Sequence, residues 1–427
     1  MNLQDVVCFI PVGGQAKRLR PLTNDISKPC IRFLNRPLIE FSMVSLAEQG
    51  VRNFIFGEYG FTNYTNLFDQ FGEGVGFSAK YEIKPRIHIK HQPNLDDKGS
   101  ADSYGLNMQY YDINSPVLVV QGDNLFKLDL RDFAKRHEES RALMTIALTR
   151  VEQPEQFGIA DVGEDARIRR FVEKPKQQDS PTNLANAGIY LLSPQVREIV
   201  DSAEVRGLMQ QRNRLDFGFD FIPYLVQNGF PVFGYEVKVW YDVGSPERYL
   251  AAMRDTLHGK LDIRVREEKI FPNRNIWVQG YSKDSIDRRE EIVRNCNEGK
   301  LTVNGAALIG RHTRIGIDSV VSDSNIDNFC SLGQSVEIDR SAILDASRIG
   351  DYAHVSESIV GRKTVIESSA EHPTRIQLNS VIGNAVHIMS GCTLTQTKVN
   401  PGLSIPEGMT YRDKFLENIE DVVRCAN

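Results

Sequence analysis

Over the first 256 residues or so, short apolar runs alternate with segments whose apolar positions repeat at helical spacing. Val6–Val12, Phe54–Glu58, Pro116–Gln121, Met144–Thr149 and Ile189–Leu192 read as strands. Pro37–Gln49 reads as a helix, with Leu38, Phe41, Val44 and Leu46 apolar and Gly50 ending it. Runs apolar throughout, such as VLVV, fit strands buried on both faces, as in a sheet covered by helices on two sides. Ligands of such sheets sit outside the carboxyl ends of the strands, where Gly13 and Gly14 follow the first apolar run.

Residues 259 to 300 are charge-rich, with RVREEK and DRREEIVR, and hold one expected linker helix around Ser285–Asn295. After Leu301 a repeat of seventeen residues begins. It aligns Ile309, Ile326, Ile343 and Val360 in one column, Ile315, Leu332, Ile349 and Ile366 in a second, and Val321, Ile338 and Val355 in a third. Small residues, Thr313, Cys330, Ser347 and Thr364, follow the first column by four positions. Six-residue rungs with one inward aliphatic and one small corner build a triangular parallel solenoid, each coil burying its aliphatics only against the next. A β-sandwich with short strands at chance spacing is the rival reading, and three columns in phase speak against it. The pattern resembles the hexapeptide repeats of left-handed β-helix proteins. An irregular insertion around HPTRIQLNS interrupts it, and VIGNAVHIMSGCTL resumes it for one more coil.

The length of 427 residues calls for two or three domains, and 41% hydrophobic with 25% charged residues describes a globular chain. A net charge of −5 gives no footing to a nucleic-acid partner. The start MNLQDVV lacks the basic-then-apolar order of a signal peptide. No apolar run approaches the roughly 20 residues that span a bilayer. A cytoplasmic protein is therefore expected. The six cysteines form no CxxC pair and no cluster with histidine, which argues against zinc and against a disulfide framework.

Four stretches could carry chemistry. In GGQAKRLRPLT, glycines turn the backbone sharply and aim N–H groups at an anion, while Lys17, Arg18 and Arg20 supply charge. A solvated basic turn explains the stretch about as well, because neither GxxxxGK[ST] nor GxGxxG is present. VLVVQGDNLF delivers Asp123 at a strand end, as a metal carboxylate or a turn former. FVEKP sets Glu173 and Lys174 before Pro175, as a ligand pair or a surface ion pair. WYDVGSPERY places Asp242 before a glycine and a helix capped by Ser245.

Taken in chain order, GGQAKRLRPLT, SKP, GSADS, QGDNLF, FVEKP, NAGIY and WYDVGS resemble the nucleotidyl-sugar pyrophosphorylases, the sugar-1-phosphate nucleotidyltransferases. The resemblance covers nearly the whole chain. It implies an α/β Rossmann-like domain with a mixed, mostly parallel sheet, followed by a left-handed parallel β-helix. The expected division is a nucleotidyltransferase domain over 1–256, a linker over 257–300, the β-helix over 301–400 and a partly helical tail over 401–427. The implied reaction joins a nucleoside triphosphate and a hexose 1-phosphate, glucose or mannose foremost, and releases pyrophosphate.

The resemblance also implies roles. Gly13 and Gly14 shape the triphosphate loop, with Gln92 and Gly99 at the nucleobase. Arg18 and Lys28 are the catalytic cations. Glu173, Lys174, Asn186 and Gly188 bind the sugar phosphate, and Asp123 and Asp242 hold Mg2+. The partners are the two substrates and further copies of the chain through the β-helix, with no nucleic acid or membrane. Ala16 and Lys17 stand where the family pattern GGxGTRLxPLT has Gly-Thr, which keeps a nucleotide-sugar-sensing regulatory subunit in view. An acyltransferase in the β-helix is a third reading, since His312, His354, His372 and His387 lie there.

Overall fold

The computed structural model describes residues 1–13, 17–261 and 269–424. The chain divides into two compact units: Met1–Gln15, Ser27–Cys30 and Leu38–Tyr241 form the first, and Ala16–Ile26, Ile31–Pro37 and Asp242–Asn427 the second.

The first unit is built on a nine-stranded mixed sheet. Strand Val7–Val12 pairs in parallel with Asn53–Tyr59 on one side and with Val117–Val120 on the other, and Asn53–Tyr59 pairs in parallel with His88–Asn94. Leu184–Leu192 joins antiparallel to Val117–Val120 and leads to the remaining strands, among them Met144–Arg150. Alternate residues of one strand serve two different cores, because successive side chains leave opposite faces. Cys8, Ile10 and Val12 pack with Ile39, Met43 and Leu46 of helix Leu38–Glu48. Val7 and Phe9 pack with Ala101, Tyr104 and Met108 of helix Ser100–Tyr110. This is why VCFIPV and VLVV are apolar throughout. The five expected strands and the helix after Arg36 are present, with ends shifted by a few residues.

The second unit is a parallel β-helix. The first column pairs Ile309 to Ile326 to Ile343 to Val360, and then continues to Ile382, Val399 and Leu416. The second and third columns also pair as the repeat demands. The coils therefore run past the single extra coil read from the sequence, through Phe415–Leu416, and among the described residues the tail is helical over Ile419–Arg424. The insertion falls between Val365–Ile366 and Arg375–Gln377, so RIQ is itself a rung.

The small corner residues have a polar task. Thr313 Oγ1 donates to Asp327 O at 2.6 Å, Ser347 Oγ to Gly361 O at 2.8 Å and Thr364 Oγ1 to Gly383 O at 2.9 Å. Each lies buried inside a bend and satisfies a carbonyl that the rungs leave over. The corners themselves are left-handed, with His312, Phe329, Ala346, Lys363 and Ala385 at φ between 55° and 60°.

Further segments belong to this unit. Helix Pro246–Leu257 starts at Ser245, whose hydroxyl accepts from Arg248 N at 3.4 Å. The hairpin Arg32–Phe33 and Arg36–Pro37 turns at Leu34 and Asn35, both at positive φ. Arg32 Nη2 bonds the fully buried Asp327 at 2.8 Å, and Tyr249 Oη donates to Arg32 O at 2.6 Å. Helix Lys283–Asn297 covers the helix read around Ser285–Asn295, but it lies within the second unit, with Ile292 in the solenoid core, and Ile276–Val278 before it pairs with Leu301–Ile309. Among the described residues no helix is long and apolar enough to cross a membrane.

Candidate active site

A cavity of about 470 Å³ lies along the carboxyl edge of the first unit's sheet. Its lining follows the strand order. Gln121, Gly122 and Asp123 come after Val117–Val120, Gly13 after Val7–Val12, and Gly57 and Tyr59 from the end of Asn53–Tyr59. Asp97, Gly99, Ser100 and Ser103 come from the segment after His88–Asn94, and Lys28 and Asp216 complete it. The carboxyl ends of parallel strands are where open α/β sheets bind ligands.

Four of the sequence-derived site residues meet here: Gly13, Lys28, Gly99 and Asp123. Lys28 opens the short turn Lys28–Cys30, which is fixed by Ser27 N donating to Asn66 Oδ1 at 2.9 Å. Its side chain is only 14% exposed, and the ammonium forms an ion pair with Asp123 Oδ2. Gly99 is required on steric grounds. Its φ is 136°, and a Cβ there would stand 2.8 Å from Leu215 O. Gln92 is half-buried and in register with Gly57, but does not line the cavity. Gly14 and Ala16 lie outside the described residues.

Of the four residues expected at the sugar phosphate, Glu173, Asn186 and Gly188 lie on strands of the same sheet and Lys174 directly follows one, all outside that lining. Glu173 closes strand Ile168–Glu173 opposite Gly158, and a Cβ at Gly218 would come within 2.7 Å of its carboxylate. Two glycines thus make room for it. Burial is the main reason its carboxyl is pushed up to about 7; Lys174 opposes the shift and Asp216 adds to it. Lys174 is exposed, held at positive φ with its amide donating to Phe157 O at 2.9 Å.

Asn186 and Gly188 form a bulge in Leu184–Leu192. Gly188 N donates to Asn186 Oδ1, and Asn124 Nδ2 and Trp240 Nε1 both donate to Ala187 O, each at 2.9 Å. Arg18 and Asp242 belong to the second unit, with Arg18 Nη2 3.9 Å from Asp242 Oδ2 and Arg248 in a closer ion pair with the same oxygen.

Sequence reasoning passed over Tyr59, Asp97, Ser100, Ser103, Gln121 and Asp216. Asp216 could have been suspected from LDFGFD, where an acid precedes Phe-Gly. Its Oδ2 accepts from Ser100 Oγ at 2.9 Å and its Oδ1 from Gly218 N at 3.0 Å, so it ties the cavity wall to the Glu173 cradle. Asp97 stands in the stretch HQPNLDDKG. Burial, with Asp102 nearby, raises its carboxyl to about 6.

The solenoid histidines form no comparable centre. His312, His354 and His387 each meet one surface carboxylate, Asp284, Glu337 and Glu367 respectively, at 2.7 to 2.9 Å, and His372 is exposed.

The nucleotidyl transferase family profile matches residues 8–259, more than half of the chain. The chain belongs to the nucleotidyl transferase family. A second profile, the GMPPB C-terminal domain, matches residues 298–414. A UTP–glucose-1-phosphate uridylyltransferase of Synechocystis is 26% identical over 375 residues, covering 85% of this chain and 89% of its own length. A glucose-1-phosphate adenylyltransferase of Desulfitobacterium hafniense is 23% identical over 414 residues, covering 93% of this chain and 98% of its own. A nucleotidyltransferase of low-salt glycan biosynthesis from Haloferax volcanii is 26% identical and covers 84% of this nucleotidyl transferase and 97% of itself. The family, the mixed sheet with its carboxyl-edge cavity and the parallel β-helix agree on one enzyme class, sugar-1-phosphate nucleotidyltransferase.

Proposed function

We propose that the chain transfers a nucleoside monophosphate from a nucleoside triphosphate to a hexose 1-phosphate, with glucose and mannose 1-phosphates the first sugars to test. The observation that carries this reading is the Lys28–Asp123 pair inside a cavity that Gly13 and Gly99 also line. A sugar-phosphate oxygen forms a bond to the α-phosphorus, the bond from that phosphorus to the β-phosphate oxygen breaks, and pyrophosphate leaves. A phosphate monoester loses its second proton near pH 6 at about the usual value, so the nucleophile is already anionic and no base is needed. The residues must position two anions and offset their repulsion.

In this reading Gly13 lets the backbone approach the triphosphate, and Lys28 holds phosphate charge in the transition state beside Asp123. Arg18 adds charge to the leaving pyrophosphate. Glu173 accepts from sugar hydroxyls at the strand end, Lys174 pairs with the sugar phosphate, and Asn186 and Gly188 shape the sugar pocket.

The donor set suits magnesium. Among the described residues no three or more His, Cys, Asp or Glu side chains group to cage an ion alone. One or two carboxylates completed by substrate phosphates is how Mg2+ is usually held. Asp123, at a strand end and lining the cavity, fits that part, and Asp242 is the second carboxylate proposed. Bound Mg2+ would neutralise phosphate charge.

Pyrophosphate release from the full chain, with four triphosphates against glucose, mannose and N-acetylglucosamine 1-phosphates, tests the proposal. Turnover with one pair supports it. Calorimetric binding without turnover by any pair would replace it with the sensing subunit. We also propose self-association through the β-helix, and a monomer by sedimentation at micromolar concentration would remove that part.

A further inference from the structure

Strand Asn53–Tyr59 ends in Gly57, Glu58 and Tyr59. Gly57 and Tyr59 line the cavity, while the Glu58 side chain leaves the opposite face of the sheet, on the side of Phe56, and is fully buried. His91 of the neighbouring strand meets it there. Its Nδ1 lies 2.8 Å from Glu58 Oε1, and its Nε2 lies 2.8 Å from Gly72 O. A carbonyl only accepts, so Nε2 carries a hydrogen. A second proton lies between Nδ1 and Oε1, since two acceptors would otherwise face each other.

Between Glu58 and Gly72 the chain leaves the sheet and forms helix Phe61–Phe71. That helix is thinly held. Of its 11 residues only Leu67 and Phe71 are buried, and Phe61 and Phe68 are exposed. One imidazole therefore fastens the excursion at both of its ends. Tyr59 stands at the first of them, and a Cβ built on Gly13 would lie 3.2 Å from Tyr59 Cβ. A displaced Tyr59 is felt directly at Gly13.

Stability is a poor reason for the pair. Burying it costs desolvation, and Glu58 Oε2 has no hydrogen-bond partner among the described residues. Apolar side chains of similar volume often serve stability as well or better. They cannot supply a directed link to the Gly72 carbonyl. Resting on the nucleotidyl-transfer reading above, we infer that His91 and Glu58 are positioning residues, which clamp residues 59–72 and so hold Tyr59 beside Gly13 at the triphosphate.

Three variants of the full chain separate positioning from stability. The readouts are hydrogen exchange of residues 59–72, urea unfolding, and calorimetry with ATP, GTP, UTP and dTTP. Glu58→Gln keeps both links, because its amide donates to Nδ1 while Nε2 still donates to Gly72 O; exchange and binding should stay within about twofold of the parent. His91→Phe orphans a buried carboxyl and should lower the urea midpoint. Adding Glu58→Leu to His91→Phe removes the orphan and should restore most of that midpoint. In this double variant residues 59–72 should still exchange roughly tenfold faster, and the preferred triphosphate should bind roughly tenfold more weakly. A double variant that regains exchange and binding along with its stability would overturn the inference. So would a Glu58→Gln chain whose residues 59–72 loosen as much as those of His91→Phe. Fast exchange and weakened triphosphate binding in the double variant, with no pyrophosphate released by the parent from any pair, would uphold the clamp and defeat nucleotidyl transfer.

Discussion

Glu173→Gln should make the first unit more stable at pH 8 and the enzyme worse, both for one reason. The carboxyl is pushed from an ordinary 4.5 up to about 7, chiefly by burial between Gly158 and Gly218. A raised carboxyl means the folded state holds its proton more tightly than the unfolded chain does. Its contribution is thus complete below pH 4.5 and is lost as pH rises through about 7. The span corresponds to on the order of 3 kcal/mol at 1.36 per unit. Glutamine has the same shape and no charge to desolvate, so the stability difference between variant and parent should grow by about that much from pH 4.5 to 8. An amide left without a partner would cost about 1–3 kcal/mol at every pH, so the slope and not the offset is the readout.

The chain has two tryptophans, and Trp277 belongs to the second unit. In a Trp277→Phe background, Trp240, which meets Phe157 edge-on at 5.5 Å, reports urea unfolding of the first unit alone. A stability difference constant to about 0.5 kcal/mol between pH 5 and 8 would refute the burial argument. In the same variant KM for the sugar phosphate should rise roughly tenfold, because a charged acceptor for hydroxyls has become neutral.

Three further outcomes are expected. Asp123→Asn should lower pyrophosphate release by about a hundredfold or more with little change in melting, and near-normal turnover would remove Asp123 from the metal proposal. Gly99→Ala, with its Cβ forced toward Leu215 O, should cost roughly 1–3 kcal/mol and raise KM for the triphosphate; an unchanged urea midpoint would contradict the steric reading. Arg32→Ala leaves the fully buried Asp327 without its cation and should destabilise the second unit by about 3–5 kcal/mol. Adding Asp327→Asn should restore much of that loss, and a single variant as stable as the parent would show that the pair is dispensable.

The solenoid was legible because its physics is one-dimensional. A column such as Ile326, Ile343 and Val360 repeats at a fixed interval, since every coil must bury the same face against its neighbour. The corners hid better. Left-handed backbone is ordinarily announced by glycine, yet His312, Phe329, Ala346 and Lys363 adopt it. The amides of Phe329, Ala346 and Lys363 are held by the preceding coil, as when Phe329 N donates to Arg311 O at 2.9 Å. A local preference is overridden there by a ladder that no window of sequence contains.

The site divides along the same line. Gly13, Lys28, Gly99 and Asp123 could be chosen because each follows a strand or sits in an ordered motif, and strand ends are where parallel sheets open. Asp97 stands beside a second aspartate, Asp96, and nothing local separates the two, while Asp216 carries only the cue of an acid before Phe-Gly. Asp216 acquires its place through Ser100, more than a hundred residues away in sequence. Asp97 joins the lining because the segment after His88–Asn94 runs beside the strand ends. Motif order is enough to tell that a chain transfers nucleotides. The cavity wall depends on residues that meet only once the strands are laid side by side, as Ser100 and Asp216 do.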